Sequence, residues 1–215
     1  MLTRDIIQSI KIKLEVIRTS ASESILALAE ENCGILTASE ARAAGYHGGS
    51  LKYLVEQGRL CRASRGVYTL PEVWDDEFVN LQSRYKRGVF SLDTALFLCD
   101  LTDRTPHHFH MTFPQGYNVT RPKADGVRCN VASASIYPMG IVELKTPSGI
   151  RVRSYGAERT LCDILRPRNH TDIQLVAEAF KQYAKLPTKN ILLLSAYADR
   201  LHVQGKVRSY LEVLL

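Results

Sequence analysis

Near residue 59 the apolar pattern of the chain changes period from about four residues to two. Upstream, three segments repeat apolar residues at helical spacing, and each stops at a glycine. The first is expected from Ser22 to Cys33, opened by a Ser20/Glu23 capping pattern and closed by Gly34. The second runs from Ala38 to Ala44, with Thr37 and Glu40 as a second capping box and Gly45 as the stop. The third runs from Ser50 to Gln57, turns Leu51, Leu54 and Val55 inward, and ends at Gly58. Downstream, Leu60–Ala63 and Val67–Leu70 are short extended runs joined through Ser64-Arg65-Gly66, close enough to form a hairpin. Three short helices followed by a tight basic hairpin is the element order of a winged helix-turn-helix, with Gly45-Tyr46-His47-Gly48-Gly49 as its central connection. The same module used only for protein contact is the alternative.

Ahead of it, Ile6, Ile10, Leu14 and Ile17 make one apolar stripe and predict a further helix over Asp5–Thr19. Behind it, Leu70-Pro71 breaks the pattern and an acidic cluster begins, so the boundary is expected between domains 1–75 and 76–215. The second domain alternates. A helix is expected over Asp76–Tyr85, an extended Gly88–Phe90, and a helix Leu92–Leu98 capped by Ser91. Strands follow at Phe109–Phe113, Val127–Ala132, Ile141–Lys145 and Ile150–Tyr155, the last two as a hairpin turning at Pro147-Ser148-Gly149. Four helices close the chain over Ala157–Leu165, Asp172–Lys185, Lys189–Arg200 and Lys206–Leu214, with Thr171 and Thr188 as expected N-caps. The fold class is therefore α+β: an N-terminal winged helix, then a larger mixed α+β domain with a helical C-terminal bundle.

At 215 residues and 45% apolar composition the chain can bury two modest cores, which excludes wholesale disorder. The net charge of +6 is uneven: residues 1–80 carry 9 basic and 11 acidic side chains, whereas 81–215 carry 19 and 11. A polyanionic partner is permitted by this balance and not demanded by it. Apolar runs stop at five residues against the ~20 of a membrane span, and Met1-Leu2-Thr3-Arg4-Asp5 leads into no signal-peptide core. The five scattered cysteines contain no CxxC, as expected of reduced, mostly buried thiols, and a cytoplasmic location follows. Walker and GxGxxG loops and the GxSxG elbow are absent, so no cofactor is expected.

Candidate binding residues lie on the third of these helices and on the hairpin. With its stripe turned inward, that helix presents Ser50, Lys52, Tyr53, Glu56 and Gln57 outward, the first three near the end that a recognition helix inserts into the major groove. Gly48 and Gly49 leave backbone amides accessible to a phosphate. Arg59, Arg62 and Arg65 fall within seven residues with Arg65 at the hairpin tip, suited to phosphate or a minor groove. The acids of this domain cluster at Glu23, Glu30, Glu31 and Glu72 through Glu77 and are expected away from that face; an ordinary solvated helix is the rival reading. His107, His108 and His110 lack partners for a recognisable ligand set, so no metal site is expected. Asp125 with Glu143-Leu144-Lys145 matches loosely the two carboxylates and lysine of a metal-dependent nuclease. Glu158, Arg159 and Asp163 read as structural salt links at a helix start.

Three stretches carry a family resemblance: Gly34-Ile35-Leu36-Thr37-Ala38-Ser39-Glu40-Ala41, Leu54 through Leu60, and Arg65-Gly66-Val67-Tyr68-Thr69-Leu70-Pro71. They resemble the N-terminal domain of AbiEi-type antitoxins, from type IV toxin–antitoxin systems of abortive phage infection. Tyr85 through Ser91, Thr94-Ala95-Leu96, the Tyr155–Asp163 segment and Tyr210-Leu211-Glu212 look similar to the second domain of that family. The resemblance implies a repressor that binds inverted repeats in its own promoter. It also implies a C-terminal domain that counteracts a nucleotidyltransferase-like toxin without a stable complex. Separately, no catalytic residues are expected. A monomer in solution that pairs on DNA is the expected state. A DNA-binding regulator without a toxin partner would share the first half.

Overall fold

The structure, a computed structural model, describes residues 21–32, 34–71 and 76–214. The expected helix over Asp5–Thr19 lies outside the described residues, as does Ser20 of the first capping pattern. Two compact units emerge: one comprises the chain through Arg84 together with Pro147–Ile150, the other Tyr85–Thr146 with Arg151 onward. No helix among the described residues is long and apolar enough to cross a membrane.

The first unit begins with a helix, α1, described over residues 21–31. It continues through β1 (Ile35–Thr37), α2 (Ala38–Ala43), α3 (Gly48–Glu56), β2 (Cys61–Ser64), β3 (Val67–Thr69) and α4 (Glu77–Arg84). The expected capping box is present: the Thr37 hydroxyl accepts the Glu40 amide at 3.2 Å, and the Glu40 carboxylate accepts the Thr37 amide at 2.8 Å. The glycines foreseen as helix stops adopt left-handed backbone, with φ of +83° at Gly34, +88° at Gly45 and +69° at Gly58. One strand was not anticipated. Residues 35–37 pair antiparallel with β3, Ile35 opposite Thr69 and Thr37 opposite Val67, so the sheet has three strands in the order β1-β3-β2. Three residues are too few to display a period, and only the distant partner makes them a strand. Ile25, Leu26, Ala29, Leu36, Leu51, Leu54 and Leu60 form the buried core, each large side chain contributing roughly 1.5–3 kcal/mol of burial. This core fixes the angle between α2 and α3 and seats the hairpin beside them.

The second unit is built on a five-stranded mixed sheet. Its elements are β4 (Val89–Phe90), α5 (Leu92–Leu98), β5 (His110–Pro114), α6 (Thr120–Ala124), β6 (Arg128–Ala132), β7 (Ile141–Lys145), β8 (Arg151–Tyr155), α7 (Ala157–Ile164), α8 (Ile173–Lys185), α9 (Ile191–Leu201) and α10 (Gln204–Leu214). The strand order is β6-β5-β4-β8-β7. The expected β7–β8 hairpin forms, with Glu143 opposite Arg153, while β4 joins β8 in parallel through Phe90 and Ser154. The helical ending packs around Leu161, Phe180, Tyr183, Leu194 and Leu201, with α5 contributing Leu92 and Leu96.

Two expected caps move, and a third holds its position without a side-chain hydrogen bond to its helix. Asp172, not Thr171, caps α8 by accepting the Gln174 amide at 2.6 Å. Asn190, not Thr188, caps α9 by accepting the Leu193 amide at 2.9 Å. Ser91 occupies the N-cap position of α5, but its hydroxyl accepts from Thr112 at 3.0 Å instead of from the helix. In the first two cases a side chain of stronger capping preference stood one or two residues downstream of the threonine. The short α6 was also unforeseen.

Candidate nucleic-acid interface

Helix α3 starts at Gly48, two residues earlier than expected, because the poor helix propensity of Gly48-Gly49 hides its first turn from a sequence reading. His47 is the N-cap, extended at φ −82° and ψ 150°, and no side chain caps the helix. A Cβ at Gly48 or Gly49 would meet nothing within 4 Å, so the amide-bearing end is open. The helix dipole and these amides favour an anion there. The connection from α2 is tight: the Gly45 amide donates to Arg42 at 3.0 Å and the Tyr46 amide to Ala41 at 2.9 Å.

Leu51 and Leu54 are buried and Val55 half-buried, as the stripe required. The outward residues divide. Lys52 is exposed over 80% of its side chain and lies 3.6 Å from Glu56 on the next turn, an ion pair of little strength at such exposure. Tyr53 is 40% exposed, a large amphipathic ring standing out of the surface, and Ser50 is half-buried at the helix start. Gln57 is exposed at the opposite end, as the C-cap; its amide donates to the Tyr53 carbonyl at 2.9 Å, and the Gly58 amide to that of Val55 at 3.0 Å.

The hairpin places Arg62 opposite Tyr68 and Arg65 in its turn, both exposed. The Gly66 carbonyl accepts the Ala38 amide at 2.8 Å, which ties the wing to the start of α2. Neither arginine forms an ion pair among the described residues. Arg59 is different. Its Nη1 donates to Glu23 of α1 at 2.8 Å, and the hydrogen bond and charge of Arg59 hold the Glu23 carboxyl below the usual carboxylate range. The expectation that the acids of this unit lie away from all three arginines is therefore corrected at Glu23. The pair connects residues 36 apart, and no local spacing announces it.

The other candidates separate as well. Asp125 follows α6 and accepts the Tyr85 hydroxyl, while Glu143 sits 3.8 Å from Arg151 on the exposed β7–β8 ribbon. The strand following Asp125, β6, and the strand carrying Glu143 and Lys145, β7, are the two opposite edges of the sheet. The structure thus does not bring Asp125 to Glu143 and Lys145 as a nuclease requires. His107 and His108 precede β5 and His110 opens it, with Nδ1 3.9 Å from Asp93. No three His, Cys, Asp or Glu side chains converge on a possible metal position among the described residues.

Arg159 is fully structural. It is 2% exposed, and its Nε donates to Asp163 at 2.9 Å. Its Nη1 donates to the carbonyls of Ile136 and Met139 at 2.8 and 2.7 Å, and its guanidinium lies 4.3 Å from the centre of the Tyr155 ring. Glu158 accepts from the Tyr183 hydroxyl at 3.0 Å and the Asn190 amide at 3.1 Å, joining α7 to the start of α9.

Comparison with known proteins bears on the first unit. A crystal structure of the RV2827C protein from Mycobacterium tuberculosis superposes with a TM-score of 0.49 at 14% identity, covering 90% of this chain and 81% of that one. No curated protein matches the sequence. Residues 23–71 match the family described as "Transcriptional regulator, AbiEi antitoxin". That stretch runs from α1 through the hairpin, and over it the chain is similar to the AbiEi antitoxin family of transcriptional regulators.

Proposed function

We propose that the chain is an antitoxin of a type IV toxin–antitoxin system that represses its own operon. Its first unit binds duplex DNA at promoter inverted repeats. Helix α3 enters the major groove, where Ser50, Lys52 and Tyr53 meet base edges and phosphates, and the wing supplies Arg62 and Arg65 to the flanking backbone. Gln57 and Arg59 lie at the periphery, Arg59 after exchange of Glu23 for phosphate. The observation that carries this reading is the uncapped, open amino end of α3 in the same unit as two exposed arginines that have no acid partner among the described residues.

The second unit counteracts a nucleotidyltransferase-like toxin without forming a stable complex, a role taken from the family resemblance. The protein acts in the cytoplasm, without a cofactor or catalytic site, as a monomer that pairs on its operator. We propose further that the halves are separable: residues 1–80 bind the operator, more weakly than the whole chain, and residues 81–215 rescue growth.

The test is a fluorescence-anisotropy titration of the full chain on its promoter fragment across salt concentrations, run beside a growth assay with the toxin induced. Nanomolar binding that weakens steeply with salt and is lost on scrambled DNA is expected. Equal affinity for promoter and scrambled DNA sinks the repressor reading. Growth rescue by 1–80 alone, or its loss in a folded 81–215, sinks the division of labour.

A further inference from the structure

Where α7 ends and α8 begins, the second unit holds a cleft of about 470 Å³ that the DNA-binding reading does not use. Its size falls within the range of small-molecule sites. Three basic side chains line it, Arg166, His170 and Lys206, and no carboxylate does. Thr171 adds a hydroxyl, that of Ser209 already donates to the Gly205 carbonyl at 3.0 Å, and Ile164, Val176 and Tyr210 supply apolar lining.

Arg166 is the most informative of these. Its side chain is 21% exposed, and its Nη1 is out of water without any hydrogen-bond acceptor. A ligand in the cleft meets the exposed remainder of this side chain and not the enclosed nitrogen, which lies towards Asp163. The nearest carboxylate is Asp163, 3.6 Å away, too far for a hydrogen bond. Asp163 is already held by Arg159 at 2.9 Å. One carboxylate therefore faces two guanidiniums, and a formal positive charge remains at the cleft. Lys206 is fixed beside it, its Nζ donating to the Leu165 carbonyl at 3.0 Å with two donors left over. The neighbouring Asp172 carboxylate is turned to the Gln174 amide as the cap of α8.

Two cationic side chains, Arg166 and Lys206, on a lining without a carboxylate suit the doubly charged, three-oxygen phosphoryl group better than a singly charged carboxylate. The apolar lining calls for an organic body attached to that phosphoryl group. We propose that this cleft binds a small phosphate ester of mononucleotide size, with Arg166 and Lys206 on the phosphoryl group. The inference stands independently of the DNA-binding reading.

The test is calorimetry on the full chain at low salt with four probes: adenosine 5′-monophosphate, uridine 5′-monophosphate, adenosine and inorganic phosphate. Both monophosphates are expected to bind, and adenosine and inorganic phosphate at least tenfold more weakly. Arg166→Gln is expected to weaken the monophosphates tenfold or more, and Lys206→Gln severalfold. Because Arg166 also touches Asp163, a second variant avoids the fold: Ile173, 73% exposed in the first turn of α8, lines the cleft, and Ile173→Glu puts a carboxylate there. It is expected to abolish binding with the melting temperature kept. Absence of binding by either monophosphate overturns the proposal, as does binding that survives Ile173→Glu. Equal affinity for inorganic phosphate overturns the assignment to an ester.

Discussion

The two units use arginine in opposite ways. In the second, Arg159 is enclosed: a carboxylate, two carbonyls and a tyrosine face engage its guanidinium, and the segment 136–139 is held in place by it. In the first, Arg62 and Arg65 stand in solvent on the β2–β3 hairpin, with no acid partner among the described residues. An arginine whose donors are spent inside the protein holds a fold, and one whose donors are unspent on a convex basic edge is available to a partner. Substitutions should therefore separate stability from binding cleanly, unit by unit.

The largest effect is expected from Arg159→Leu. It strands Asp163 in the interior with only the more distant Arg166 for company, a loss of about 3–5 kcal/mol. The melting temperature of the second unit should fall by roughly 10 °C or more. Operator binding at 20 °C should persist, and its loss would mean that the two units are not separable. Gly140→Ala follows. Gly140 has φ +78°, and a Cβ there would lie 2.7 Å from the Cβ of Arg159, which cannot swing away. Strain and clash together should cost about 2 kcal/mol or more, read from denaturant midpoints.

Arg65→Ala should leave stability untouched and lower the slope of log affinity against log salt by about 1. Lys52→Ala or Tyr53→Ala should weaken the specific site more than random DNA. An unchanged slope in Arg65→Ala breaks the contrast drawn between the units.

Thiol reactivity extends the comparison. Burial pushes the Cys99 and Cys162 thiols up to about 12, whereas Cys61 is exposed on the wing. At pH 8 a disulfide reagent should modify Cys61 within minutes and reach Cys99 and Cys162 only on unfolding. The smallest effect belongs to Glu23→Gln. The Glu23 carboxyl titrates below its ordinary value when folded, so what its pair with Arg59 contributes is present above the ordinary carboxylate pKa and lost as pH falls through the lowered one. In Glu23→Gln that acid dependence should vanish, and the freed Arg59 should raise the salt slope on DNA slightly.

Much of this was legible locally. The Thr37–Glu40 box, the stops at Gly34, Gly45 and Gly58, and the β7–β8 hairpin follow from chemistry within a few residues. What escaped depends on distant partners: β1 exists through β3, the parallel β4–β8 pairing joins Phe90 to Ser154, and Arg59 turns to Glu23. The outward face of α3 was readable because its inward stripe was, but the true start of the helix was concealed by two glycines. Nothing in the spacing of Arg166 and Lys206 hints that they line one cleft, since a bundle, not a motif, brings them together.

The sheet order of the second unit has a consequence for biosynthesis. The two-residue strand β4 lies at its centre and cannot be flanked on both sides until β8, more than sixty residues later, has been made. The strands of the first unit, by contrast, are all present once Thr69 has been added. During translation the first unit can thus mature while the sheet of the second is still open-edged, since closure of long loops delays non-local pairing. A nascent chain stalled or cut short after the hairpin would leave the cell with the unit proposed to bind the operator and no completed second unit.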